Sequence, residues 1–254
     1  MKYNGLPQLY WLPLVGIFLV ACSGASSTVV EEQAPAEEIQ EEEQVEEQVV
    51  VDDIVAVMPE VTELLFENPW VRVVQFTLAP GESLPPHHGR DRVVFSRTDA
   101  HILWSEGDAE EREVHWEAGD LHTHGAEVHS LTNLGEATIT WVVFARLDTP
   151  LEDRPEPEDV VHTDEGLAEV LFEDDLARVI HVGLEPDEAT ERHEGGYRII
   201  FSLSDYTIEF AKDEEPPVET SWSEGDVHWH EPDRHQVTNT GESRAEYLVI
   251  QYKR

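Results

Sequence analysis

Imidazoles dominate the residues that could do chemistry. Of 13 histidines, nine fall in short clusters: His87 and His88; His122, His124 and His129; His193; and His228, His230 and His235. Neutral imidazole is a good ligand for first-row divalent ions. Three that converge are enough for an open metal site. His122 and His124 are two apart, as are His228 and His230, so on a strand each pair points to one face. If that face lines a barrel lumen, each set supplies three or more imidazoles. If it is the outer face, only His129 and His235 remain from these triplets. Glu194 adds a carboxylate beside His193. Arg92 and Arg198 follow the first histidines of each set, and a guanidinium has no lone pair to offer. Turned inward, each would repel a cation and favour an anionic ligand; turned outward, each would be a surface charge.

Other chemistries lack their signatures. The chain has no Gly-rich phosphate loop, no Gly-x-Ser-x-Gly elbow, no catalytic cysteine and no basic stripe with aromatics. A formal net charge of −39 repels phosphates and anionic headgroups, so no nucleic-acid partner is expected.

The elements that position these residues occur twice. Setting Phe66 on Phe172 gives a constant offset that holds without a gap to the C-terminus. Pro80, His87, Gly89 and Arg92 meet Pro186, His193, Gly195 and Arg198. The densest match sets Gly119-Asp120, His122, His124, His129 and Thr132-Asn133 on Gly225-Asp226, His228, His230, His235 and Thr238-Asn239. Within each copy, short runs rich in β-branched and aromatic residues alternate roughly with period two and are separated by Pro, Gly, Asp and Asn. No window carries a sustained helical stripe. Many short strands with turns between them indicate an all-β sandwich or barrel of jelly-roll type. Trp229, between His228 and His230, would face away from them and reads as packing, with a ligand platform as the alternative.

The segments Trp116–Asn133 and Trp222–Asn239 each hold Gly-Asp, later a His, and an Asn four residues after it. In this they resemble the second sequence motif of the cupin superfamily, and two copies make the chain resemble a bicupin. The resemblance implies two tandem cupin-type jelly-roll β-barrels. Cupin enzymes of this type usually hold a metal with three His and one Glu, so it also implies up to one divalent transition metal per barrel. The ligands would come from His87, His88, His129, His193, Glu194 and His235, with His122, His124, His228 and His230 as additional candidates. The first motif departs from the family. Counting back from the following strand, Arg92 and Arg198 stand at the position of the liganding Glu, where they are candidate anion contacts. Two registers of this motif are open, one making His87 the first histidine of the pair and one making His87 or His88 the second.

The N-terminal segment is a targeting signal. Lys2 precedes an apolar run from Tyr10 to Val20, too short to span a bilayer comfortably. It ends in Leu19-Val20-Ala21-Cys22 and so resembles the lipobox of bacterial lipoproteins, in which the cysteine is acylated and the leader removed. Ser23 after the cysteine points to the outer membrane in a double-membrane host. Cys22 is the only cysteine, which excludes an internal disulfide. The run EEQAPAEEIQEEEQVEEQVV that follows is too acidic and too polar to fold. The expected organisation is a signal peptide over 1–21, an acidic disordered tether over 22–60, barrels over 61–148 and 169–254, and a linker over 149–168. The expected function is a non-catalytic module, anchored to the envelope through lipid, that binds a small polar ligand or ion. A metal-dependent cupin enzyme of oxygenase or isomerase type is the alternative, and a structural envelope protein a further one.

Overall fold

In a computed structural model of the chain, residues 53–107 and 109–253 are described. The leader, Cys22 and most of the expected tether lie outside them. Among the described residues no helix is long and apolar enough to cross a membrane.

The first copy begins with a single helical turn, α1 (Ile54–Val57), followed by nine strands: β1 (Thr62–Glu67), β2 (Val71–Leu78), β3 (Ser83–His88), β4 (Arg92–Ser96), β5 (Ala100–Glu106), β6 (Arg112–Trp116), β7 (Leu121–His124), β8 (Val128–Asn133) and β9 (Ile139–Arg146). They form a five-stranded sheet, β1-β2-β9-β4-β7, and a four-stranded sheet, β3-β8-β5-β6. The second copy repeats the order: α2 (Val160–Thr163), β10 (Ala168–Glu173), β11 (Ala177–Leu184), β12 (His193–Gly195), β13 (Arg198–Ser202), β14 (Tyr206–Lys212), β15 (Val218–Trp222), β16 (Val227–His230), β17 (Asp233–Asn239) and β18 (Ala245–Tyr252). Its sheets run β10-β11-β18-β13-β16 and β12-β17-β14-β15, the same permutation as in the first copy. The chain is thus two tandem jelly-roll barrels. All pairings within the sheets are antiparallel.

The period-two pattern is only rough because the five-stranded sheets are buried on both faces. On β2, Val74, Phe76 and Leu78 face the lumen, while Val71 and Val73 face the other barrel. Val71, Val73, Val93, Val142 and Phe144 join Ala177, Val179, Ile199, Leu248 and Ile250, their equivalents, in one shared core. Phe95 meets its own equivalent, Phe201, edge to face at 5.9 Å. Likewise β1 touches β16 while β10 touches β7. Such reciprocity defines an isologous contact about a pseudo-two-fold axis. Each fully buried Val, Leu, Ile or Phe contributes about 1.5–3 kcal/mol, so this core binds the barrels into one unit. Trp229 belongs to it and stacks on Trp70 at 5.8 Å, which settles its role as packing.

Two expected boundaries move. The turn α1 lies inside the stretch 22–60 assigned to the tether, and α2 and the start of β10 lie inside the stretch 149–168 assigned to the linker. Both turns belong to the repeat. Asp53 caps α1 and pairs with Arg72 at 2.5 Å, and Asp159 caps α2 and pairs with Arg178 at 2.9 Å. A four-residue turn carries no periodic signal of its own, so only the long-range Asp–Arg pair marks it.

Half of the repeated motif is turn chemistry. Gly119 and Gly225 hold φ of 96° and 90°, a region that favours glycine. The Asp120 and Asp226 carboxylates accept the backbone N–H of Glu117 and Ser223. Asn133 and Asn239 are fully buried, and each donates to two backbone carbonyls and accepts one N–H across the next turn. On edge strand β3, Pro85 and Pro86 sit at a register shift between Leu84 and His87, where no ladder N–H is required.

Candidate functional site: two histidine-lined lumens

Strand pairing places the histidines. His87 pairs with His129 across β3 and β8, and His193 with His235 across β12 and β17. In each barrel the two rings converge inside, at centroid distances of 4.2 and 4.3 Å. His88 and Glu194, one residue further on, are exposed at the rims because side chains alternate along a strand. The alternation turns them away from the paired imidazoles, although both residues still border the same pockets. His122 and His124 on β7, and His228 and His230 on β16, point into the lumens. There His122 stacks on Trp116 and His228 on Trp222, each at 3.9 Å. His124 and His129 both stack on Trp104, at 4.8 and 4.6 Å.

Arg92 and Arg198 also face inward, and both are buried. Arg92 donates to the Glu127 carboxylate at 2.7 Å, to the carbonyls of Arg90 and Gly125, and lies 3.3 Å from His129 Nε2. Arg198 repeats this with Asp233 at 2.9 Å, the carbonyls of Gly196 and Glu231, and His235 Nδ1 at 3.5 Å. Gly89 and Gly195 make room: a Cβ at either would stand 2.2 Å from the guanidinium Nη1. Each arginine therefore arrives already paired, and the anion expected of an inward guanidinium is a carboxylate of the same barrel. Glu127 and Asp233 went unnoticed in the sequence, although both stand two residues before the last histidine of their copy.

Burial sets the protonation of the site. His122 is pushed down to about 4, His124 to about 3 and His129 to about 2, by desolvation first and the Arg92 charge second. Desolvation likewise takes His228 to about 4, His230 to about 2 and His235 to about 4, with Arg198 adding to each shift. Burial also lowers His87 and His193, against hydrogen bonds from each Nδ1 to a backbone carbonyl. Burial raises Glu127 despite Arg92. It opposes ionisation of Asp233 too, but hydrogen bonds from His235 and Arg198 hold that carboxyl well below the usual range. Each lumen is therefore a set of neutral imidazoles around one internally balanced ion pair.

These residues do not fit a lumenal metal ion. An ion between His87 and His129 would meet two imidazoles and a guanidinium Nη2 that already lies against His129 Nε2. The second barrel presents the same opposition. Among the described residues, one group of three His, Cys, Asp or Glu side chains brings its ligand atoms within 4.8 Å of one another. It is His101, Glu113 and His115, on the outer face of the first barrel. The sequence reading passed over these three, and the one signal for them was a break in the repeat: His101 and His115 meet Thr207 and Ser221.

The lumens differ in size. The first encloses about 60 Å³ and the second about 150 Å³. Phe210, Val237 and Val182 of the second replace the larger Trp104, Leu131 and Phe76. The first lumen holds more buried polar atoms with no hydrogen-bond partner in the protein: Ser96 Oγ, both nitrogens of His122, His124 Nε2, His129 Nδ1, and the indole N–H groups of Trp104 and Trp141, against His228 Nδ1 and Asp233 Oδ2 in the second. In the second barrel Tyr206 replaces Ala100 and bonds Ser202, the counterpart of Ser96, at 2.9 Å.

Two jelly-roll barrels joined face to face, with imidazoles inside each, have the architecture of a two-domain cupin. Solved structures agree. Oxalate decarboxylase from Bacillus subtilis at pH 4.6 is similar with a TM-score of 0.55 and 14% identity, over 76% of this chain and 71% of that one. The formate complex of Lactobacillus farciminis oxalate decarboxylase gives 0.53 and 14%, over 73% and 77%. AerE from Microcystis aeruginosa gives 0.51 and 15%, over 76% and 98%. At such identity the likeness shows the fold alone. No protein-family model and no curated protein sequence matches the chain.

Proposed function

We propose that the protein is a non-catalytic cupin module, tethered to the bacterial envelope through acylated Cys22, whose second barrel binds a small polar organic molecule. The observation that carries this is the pair Arg198–Asp233 beside His193 and His235, where a metal-binding cupin would offer a carboxylate. A guanidinium there removes the cation and leaves imidazoles free to exchange hydrogen bonds with a ligand. A volume of about 150 Å³ suits a molecule of a few heavy atoms, or several waters. Trp222, Phe210 and Val237 supply the apolar walls that ordinary ligand pockets use. The alternative of a metal-dependent enzyme needs a lumenal ion, which both arginines oppose.

The test is ligand-observed NMR with formate, acetate, acetamide and ethylene glycol as probes. At least one should give saturable binding to the wild-type chain. Phe210→Trp with Val237→Leu rebuilds two residues of the smaller first lumen and should abolish it without unfolding, since the first barrel already packs that pair. The reading fails if no probe binds saturably, or if the double variant binds as the wild type does.

A further inference from the structure

We propose that His101, Glu113 and His115 form a site for one late first-row divalent ion, of the zinc or copper class, on the outer face of the first barrel. The site is separate from both lumens and does not depend on what they bind. His101 on β5 pairs directly with His115 on β6, and Glu113 lies two residues from His115 on the same face. The inward residues of these strands are Ala100, Ile102, Trp104, Val114 and Trp116, so the three candidate ligands share the solvent side. Their positions are half-buried for His101 and exposed for the other two.

The three side chains are already in contact. His101 Nε2 is 3.0 Å from Glu113 Oε2, and the imidazoles lie face to face at 4.0 Å with 14° between their planes. Ligand atoms about 2.0–2.2 Å from a tetrahedral ion stand roughly 3.3–3.6 Å from one another. Stacked rings carry their lone pairs side by side, so to share one ion the imidazoles must tilt toward each other, which the exposed His115 and Glu113 side chains leave room to do. Three protein ligands leave a fourth position for water, as in an open site. Two imidazoles and a carboxylate favour copper, nickel and zinc over the earlier members of the series. The strongly acidic surface raises the local cation concentration.

The second barrel is an internal control. There Thr207 and Ser221 occupy the positions of the two histidines and hydrogen-bond to each other at 2.8 Å, while Glu219 keeps the place of Glu113. The cross-strand contact that the barrel needs is thus met by two hydroxyls. The two imidazoles of the first barrel are the ligands that would turn a lone surface glutamate into a chelate.

Calorimetric titration of zinc and of copper(II) into EDTA-stripped full-length protein in detergent micelles tests this. One ion should bind stoichiometrically. His101→Thr with His115→Ser, which copies the pair of the second barrel, should weaken that binding by more than about 100-fold, since even outer-shell losses cost about 10- to 100-fold. Melting in EDTA should be unchanged. Carboxylates of the acidic N-terminal run are common to both proteins and cancel in the comparison. Conversely, Thr207→His with Ser221→His should raise the stoichiometry from one to two. Absence of binding by the wild type, or equal affinity in the Thr/Ser variant, would overturn the proposal. Loss of the ion in His129→Ala but not in His101→Thr/His115→Ser would overturn it in favour of a lumenal site.

Discussion

Replacing Arg198 by Met removes one partner of a buried ion pair and keeps most of the aliphatic stem. The side chains of Arg198 and Asp233 are 4% and 11% exposed, so water cannot restore what is lost. Breaking a buried pair from one side costs about 3–5 kcal/mol, because the remaining charge stays buried. Asp233 retains His235 at 2.9 Å and Lys212 at 3.6 Å, which places the expected loss near the lower end, about 3 kcal/mol. For a folded unit of this size that is a fall in melting temperature of roughly 6–12 °C. Asp233→Asn should cost a similar amount, since Arg198 then keeps only neutral partners. The double variant should recover about 1–3 kcal/mol relative to the sum, the coupling expected of residues in one network. Urea denaturation of the four proteins, followed by far-UV circular dichroism, measures all terms of the cycle. A loss below about 1 kcal/mol in Arg198→Met, or additivity within about 0.5 kcal/mol, would show that the guanidinium is not held in the lumen as described.

Acidification gives a second test. Burial holds the imidazoles of His122, His124, His129, His228, His230 and His235 down at about 2 to 4 against 6.5 when unfolded, so between those limits the unfolded chain binds more protons. Their contribution is complete above pH 6.5 and is lost as pH falls toward 4, at up to about 1.4 kcal/mol per pH unit for each histidine. Urea midpoints at pH 7.5, 6.0 and 5.0 should fall progressively, and a flat profile would mean that the imidazoles are not buried neutral. Anchoring is tested by Cys22→Ser, which should move the protein from membrane to soluble fractions or leave the leader uncleaved; unchanged partitioning and mass would refute the lipoprotein assignment.

The duplication and the all-β class were legible in the chain because turn chemistry is local. Gly119-Asp120 and Gly225-Asp226 need a positive φ and a carboxylate beside it, and Asn133 and Asn239 close a turn two residues away, so both signatures survive in a linear string. The same local spacing showed that His122 and His124 share a face. It could not show which face, since that depends on the side of β7 that the second sheet covers. The register of the first motif was equally out of reach: pairing of His87 with His129, and not of His88, is decided by a shift at Pro85-Pro86 against a strand some forty residues away. Only the closed barrel turned Arg92 and Arg198 inward and set Glu127 and Asp233 against them, because the carboxylates arrive from the opposite sheet. The His101–Glu113–His115 cluster is likewise a product of cross-strand pairing. Composition and spacing determined which residues recur and what turns they make; which of them meet was left to the pairing of strands distant in sequence, since side-chain chemistry is read at contact and contact is a tertiary fact.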